Sequence, residues 1–185
     1  MNRLPRPVAF VLVCPLLSGV AGADMTLSST DLVDGGTLEP DQVFDGFGCD
    51  GADLSPALSW SGAPEGTKGY VVTAFDPDAP TGSGWWHWSV FDLPAGTTSL
   101  PEGAGAADGA GLPPAAVQAR NDFGANAFGG ACPPEGDAPH RYVFTVFAMP
   151  EETLGLDPDA SPALVGFFAE TTSLARASIE ATYGR

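Results

Sequence analysis

Asp76-Pro77-Asp78-Ala79-Pro80 sets two carboxylates in one short turn directly after an apolar, β-prone run. The two prolines fix their own φ and disfavour helical geometry in the residues before them, so the turn is rigid and its carboxylates point in defined directions. The chain has two histidines, and both open strand-like segments. His87 stands among Trp85, Trp86 and Trp88, three of the four tryptophans, while His140 is followed on the same strand face by Tyr142. Neutral imidazole offers one N–H donor, imidazolium two, and a phenol adds a hydroxyl, which together is a donor set for an anion. A carboxylate fits among them if Asp76 orients a histidine and raises its pKa, so that imidazolium meets the ligand. Taken singly, each histidine reads as a satisfied strand-end residue, Asp78 equally as a turn former, and Arg141 as a sheet-flanking surface residue.

Strands must carry these groups. Residues 70–76 (YVVTAFD), 87–93 (HWSVFDL) and 140–149 (HRYVFTVFAM) are rich in β-branched and aromatic residues, with shorter candidates at 25–29 and 58–60. In the last long run Tyr142, Phe144, Val146 and Ala148 share one face, and Arg141, Val143, Thr145 and Phe147 the other, so both faces are covered. With 24 Gly and 18 Pro between the runs, the expected fold is mainly β, antiparallel sheets packed face to face as a sandwich. One α-helix closes the chain. Ser161 suits its N-cap and Pro162 its first turn, and Leu164, Phe167, Phe168, Leu174 and Ile179 recur at helical spacing and read as core. The 101–114 loop carries no evident function. The 120–139 loop (RNDFGANAFGGACPPEGDAP) is long enough to be functional, and a tether at Cys132 predicts that it is ordered.

Residues 1–23 have a basic start (Arg3, Arg6), an apolar stretch over 8–17 and an Ala21-Gly22-Ala23 exit, the pattern of a secretory signal peptide. The apolar stretch is shorter than the ~20 residues a spanning helix needs, so stable membrane insertion is not expected. This leaves one domain over 24–185 in a periplasmic or secreted protein. Loss of Arg3 and Arg6 takes the formal charge from −16 to −18, since no acid leaves with them. Such a surface repels nucleic acid and anionic headgroups at long range. Cys14 leaves with the leader, and Cys49 and Cys132 remain as an even pair in an oxidising compartment, which predicts a disulfide. Its loop of 132 − 49 = 83 residues is worth roughly 4 to 5 kcal/mol in the chain-entropy model.

Residues 76–88 (DPDAPTGSGWWHW) and 140–142 (HRY) together resemble the phosphatidylethanolamine-binding protein family, most closely its bacterial Raf-kinase-inhibitor-like (YbhB/YbcL) branch. Residues 55–69 (SPALSWSGAPEGTKG), 117–124 (VQARNDFG), 129–134 (GGACPP) and 177–185 extend the likeness over the whole 24–185 segment. The resemblance implies a sandwich-like fold with a small, rigid pocket for a phosphate or other anionic headgroup. It implies Asp76, His87, His140 and Tyr142 as polar walls, Asp78 and Pro80 at the rim, and Trp86 as an apolar flank. It places Cys132-Pro133 beside the anion and suggests Arg120 as a further contact. Asp92 departs from the asparagine usual there, which predicts a changed turn hydrogen bond and an intact pocket. Two histidines matching one motif favour a shared site over two separate structural roles.

The expected function is therefore a non-enzymatic protein that binds a small anionic or phosphorylated ligand without a cofactor. A protein-interaction module that inhibits a kinase or secreted protease is an alternative, which a pull-down would reveal. A metal-dependent hydrolase is another, since Asp76, His87 and His140 could supply three ligands. Against it, no helical His pair or Gly-x-Ser-x-Gly turn is present.

Overall fold

The computed structural model describes residues 24–185; the expected leader over 1–23, with Cys14, lies outside the described residues. The strands are β1 (Thr26–Ser28), β2 (Gly36–Thr37), β3 (Asp45–Gly46), β4 (Cys49–Asp50), β5 (Leu58–Ser61), β6 (Gly69–Asp76), β7 (Trp85–Pro94), β8 (Ser99–Leu100), β9 (Val117–Gln118), β10 (His140–Met149) and β11 (Ala175–Tyr183), with a short 3₁₀ helix at Pro40–Gln42 and an α-helix, α1 (Pro162–Thr172), before the last strand. A six-stranded sheet runs β2-β11-β10-β6-β7-β9, and a three-stranded sheet β1-β5-β8 covers one of its faces. All neighbours in the large sheet are antiparallel except β11 and β2.

Strand β10 shows why the layers form. Its two-residue period sends Phe144, Val146 and Ala148 into the core shared with Leu58, Trp60 and Leu100 of the small sheet. Phe147 and Met149 go to the opposite face, where Val165 and Ala169 of α1 cover them together with Val71 and Phe91. Ser161 caps α1 by accepting the Leu164 N–H at 3.2 Å, and Pro162 occupies the first turn.

The helix differs from expectation in extent and in face. Its buried residues are Pro162, Val165, Gly166 and Ala169, whereas Leu164, Phe167 and Leu174 are 41%, 58% and 45% exposed. Beyond Ser173 the backbone is extended, and 175–183 pairs with β10 from Ala148↔Ala175 to His140↔Tyr183. The sequence ARASIEATY alternates with a strand period that buries Ile179 and Ala181, so Ile179 is core, but as part of a strand. Gly166 lets α1 sit close to the sheet, since a Cβ there would stand 2.6 Å from the Trp86 ring.

Strand β7 slips twice against β6. Ala74 pairs Trp88 and Phe75 pairs Trp86, leaving His87 as an extra residue, a β-bulge. A second slip falls between Tyr70↔Leu93 and Val72↔Val90, where Asp92 has φ +57°. The Asp92 carboxylate accepts the Leu154 N–H at 2.8 Å and the Thr153 hydroxyl at 2.7 Å, tying the bulge to the loop before α1.

The long loop is ordered by main-chain bonds along β7, from Asp122 N–H to the Trp86 carbonyl (3.0 Å) and from Gly129 N–H to the His87 carbonyl (2.9 Å). Buried Asn121 holds its turn, accepting the Ala125 N–H and donating to the Ala127 carbonyl, both at 2.9 Å. The Cys49–Cys132 disulfide joins this loop to β4 with Cα atoms 6.1 Å apart.

Two outcomes follow from this packing. Replacing Cys49 and Cys132 with serine lowers unfolding free energy by about 2 to 5 kcal/mol in urea titrations, and unreduced, denatured protein starting at Asp24 shows no free thiol; two titratable thiols per chain would exclude the bridge. Phe144→Ala costs about 3 to 5 kcal/mol because the ring is buried, whereas Phe167→Ala stays within about 0.5 kcal/mol. Equal losses at the two positions would contradict the assigned helix face.

Candidate functional site

Asp76 ends β6 and His140 begins β10, so the antiparallel sheet brings them to the same edge. Both are buried, and His140 Nδ1 lies 2.8 Å from Asp76 Oδ2. The other Asp76 oxygen accepts the N–H groups of Asp78 (2.8 Å) and Ala79 (3.1 Å), which folds the proline turn back on the carboxylate. Asp78 in turn clamps the turn to β10. Its Oδ2 accepts the Arg141 backbone N–H and Nε–H, both at 2.9 Å, and its Oδ1 accepts from Nη2 at 2.8 Å. The guanidinium hydrogen bonds hold the Asp78 carboxyl down at about 2.

His87 faces His140 and Asp76 across a cavity of about 200 Å³, which also takes in Tyr142, Trp85 and Phe123. His87 Nδ1 lies 2.7 Å from the Gly129 carbonyl and 3.1 Å from that of Gly130, so it carries the proton and donates to both. Burial is the largest influence on this imidazole and pushes its pKa below the ordinary value, against the pull of the two carbonyls and the Asp76 charge. The expectation of an Asp76-raised histidine therefore does not hold for His87; desolvation wins there. In its neutral form His87 presents Nε2 as an acceptor. Burial, then the Asp76 charge, pushes the Tyr142 phenol well up, so its hydroxyl keeps its proton. His87 Nε2, the Tyr142 hydroxyl and Trp85 Nε1–H are buried, and none has a hydrogen-bond partner among the described residues.

Of the residues read from sequence, Asp76, His87, Cys132, Pro133, His140 and Tyr142 all line this one cavity, and Pro80 stands beside them. Asp78 sits outside it and acts through Arg141. Trp86 is a correction. The bulge at His87 reverses the face of the residues before it, so Trp86 lies on the helix side, 4.5 Å from the Phe75 ring, and Trp85 supplies the apolar flank. Arg120 is a second correction. It is the exposed residue between buried Ala119 and buried Asn121 and does not line the cavity. Asp76, His87 and His140 do not converge as ligands either: among the described residues no three His, Cys, Asp or Glu side chains are placed to hold a metal ion.

Sequence reasoning missed Phe47, Trp85 and Phe123 on the wall, and Asp53 and Arg185 behind it. Asp53 accepts the Gly130 N–H at 2.6 Å and so fixes the carbonyls that hold His87. Arg185 donates to the carbonyls of Pro133 (2.7 Å), Gly48 (3.1 Å) and Phe47 (3.4 Å), pinning together two segments that the disulfide also joins. The proximity of Trp85 to His87 was visible in sequence; that of Phe47 and Arg185 was not.

A family model described as phosphatidylethanolamine-binding protein matches residues 28–184. The chain is 50% identical to the UPF0098 protein YbcL of Escherichia coli (strain K12) over 176 residues, covering 95% of this chain and 96% of that one. It is 51% identical to the UPF0098 protein YbhB of the same organism over 159 residues, covering 86% and 99%. The crystal structure of E. coli YbcL, described as a member of the mammalian PEBP family, superposes with a TM-score of 0.86 at 51% identity, over 88% of this chain and 99% of that chain. The match spans both the sheet that carries the Asp76–His140 pair and the loop that holds His87, and the chain belongs to the phosphatidylethanolamine-binding protein family.

Proposed function

We propose that this protein is an exported, non-enzymatic binding protein whose cavity holds the phosphate or other anionic end of a small molecule. The observation that carries this reading is the set of three buried polar atoms on one cavity that have no partner among the described residues, His87 Nε2, Tyr142 Oη and Trp85 Nε1. Buried polar groups are costly without partners, and a site that keeps three together is built for a polar ligand. Among the described residues no lysine or arginine lines the cavity, so selectivity comes from directed hydrogen bonds and from histidine protonation.

The arrangement suits binding better than turnover. Thr81, the one hydroxyl besides Tyr142 on the wall, donates to the Gly84 carbonyl, and Cys132 is held in the disulfide, so neither is paired with a histidine as a nucleophile. Export is supported by the leader-like residues 1–23 and by the disulfide, which persists in oxidising compartments.

Calorimetric titration of phosphate and phosphoethanolamine tests the assignment. His140→Ala and Asp76→Ala should each weaken binding about 10- to 100-fold, the value of a charge-assisted hydrogen bond, with circular dichroism showing an intact sheet. Unchanged affinity in a folded His140→Ala variant would refute the site.

Protonation gives a second test. His87 is depressed in the free protein, and a bound anion favours its charged form, so binding takes up a proton. Affinity for sulfate, which brings no proton of its own, should rise as pH falls through the ordinary imidazole range, about 6.5, and go on rising below it, because burial depresses His87 in the free protein. A His87→Gln, His140→Gln double variant should show a flat profile at fixed ionic strength. A flat profile in the wild type would mean that the imidazoles act as neutral groups or bystanders.

A further inference from the structure

On the helix side of β7, away from the cavity, the half-buried rings of Trp86 and Phe75 floor an open groove of about 490 Å³ between α1 and the turn that leads into β7. The two rings touch, with centroids 4.5 Å apart, so the space lies over them and not between them. Glycine lets the backbone close on this pair from both sides: a Cβ at Gly84 would stand 2.4 Å from the Phe75 ring, and one at Gly166 2.6 Å from that of Trp86. Phe167 stands on the same groove and is 58% exposed, an aromatic side chain that α1 does not use to hold itself to the sheet. Three residues earlier on the helix Leu164, 41% exposed, extends the apolar surface.

Two carboxylates border these rings. Asp122 is set by a pair of bonds with Trp86: its Oδ2 accepts the Trp86 N–H at 2.7 Å, and its own N–H donates to the Trp86 carbonyl at 3.0 Å. The residue is exposed, and one accepted bond leaves most of the capacity of its carboxylate for another donor. Glu170 pairs with Arg176, but both side chains are exposed, and such a pair stabilises so little that Glu170 is able to accept from a second guanidinium. Among the described residues no lysine or arginine lines the groove. The start of α1 offers little to an anion, because Pro162 has no N–H and the Ser161 hydroxyl accepts that of Leu164. Aromatic rings edged by carboxylates, on a segment 24–185 of formal charge −18, complement a cation. The groove and the flanking Leu164 together exceed what a small ammonium ion would fill, whereas a peptide segment uses both. A planar guanidinium stacks on rings and forks toward carboxylates, which a lysine ammonium does not.

We propose that the groove between Trp86 and α1 is a docking site for a partner protein, taking an arginine side chain and an apolar neighbour from a basic segment of that partner. The guanidinium lies against Phe167 and the exposed part of Trp86 and donates to Asp122 and Glu170, while the apolar neighbour packs on Leu164. The site is separate from the anion cavity and does not depend on it. Trp85 and Phe123 face the cavity, and their chain neighbours Trp86 and Asp122 face the groove, so both surfaces are open to occupation at once.

The probe is the capped peptide acetyl-Gly-Leu-Arg-Leu-Gly-amide, titrated into isotope-labelled protein and followed by amide and indole NMR signals, with the Trp86 indole identified by its loss in Trp86→Phe. The Trp86 indole and the Phe167 amide should shift saturably. The same peptide with citrulline, the neutral isostere of arginine, should bind about 10-fold more weakly, the value of a hydrogen bond to a charged group. Phe167→Ala, at an exposed position, and Asp122→Asn, whose amide oxygen still accepts the Trp86 N–H, should each weaken the arginine peptide about 3- to 10-fold. Saturating phosphate should not displace it. Absence of saturable binding, equal affinity for the citrulline peptide, indifference to both variants or displacement by phosphate would each overturn the proposal. So would self-association in sedimentation runs that Phe167→Ala abolishes, since a second copy of the chain would then cover the groove.

Discussion

A carboxylate that is 3% exposed has to have its lone pairs filled, and Asp76 meets that demand by organising everything around it. One oxygen takes His140 Nδ1–H from the neighbouring strand, and the other takes two consecutive amides of the turn that follows. These bonds join the end of β6, the start of β10 and the proline turn into one rigid corner. Breaking one partner would leave a buried charge uncompensated, so the corner is held more strictly than the small number of bonds suggests. The Asp78–Arg141 fork locks the same corner from the solvent side, where its own worth is modest, but it keeps the turn from swinging away.

The opposite wall is positioned by an irregularity. An unbroken ladder would send Trp86 and Trp88 to one face and Trp85 and His87 to the other. The extra residue at His87 lets Trp85 and His87 point into the cavity while Trp88 remains in the central core and Trp86 packs under the helix. The bulge thus converts one tryptophan-rich strand into three different environments. It also places His87 Nδ1 against the carbonyls of Gly129 and Gly130, so the ring enters the cavity with a fixed tautomer.

The third wall has almost no sheet to support it. Phe47 sits in the turn of the short β3–β4 hairpin and Pro133 in an irregular loop, and the two are joined by the disulfide, the Arg185 side chain and a bridge between Val43 and Ala131. Such ties keep loop-borne groups in place without a ladder, as a small cavity needs if it is to be formed before its ligand arrives. The result combines a strand-based polar corner with a loop-based aromatic lip.

By itself the sequence determined the strands and the polar half of the site, because both are local matters. Alternation in HRYVFTVFAM fixes the two faces of β10, and DPDAP with the two histidines marks rigid strand ends whatever lies next to them. The final strand was misread because Leu174 and Ile179 extend the spacing of a real helix, and only pairing with β10 separates a helical period from a strand period over so short a stretch. The faces of Trp85 and Trp86 depend on a one-residue slip against β6, a relation between strands that no local pattern contains. The balance at His87 depends on burial by residues distant in sequence, so that desolvation outweighs the nearby carboxylate. Phe47 and Arg185 come to the cavity region through contacts between segments far apart in the chain, Phe47 with Cys132 across 85 residues and Arg185 with Pro133 across 52 and with Phe47 across 138. Tertiary structure decided those points, since each is a contact between segments whose own sequences do not refer to one another.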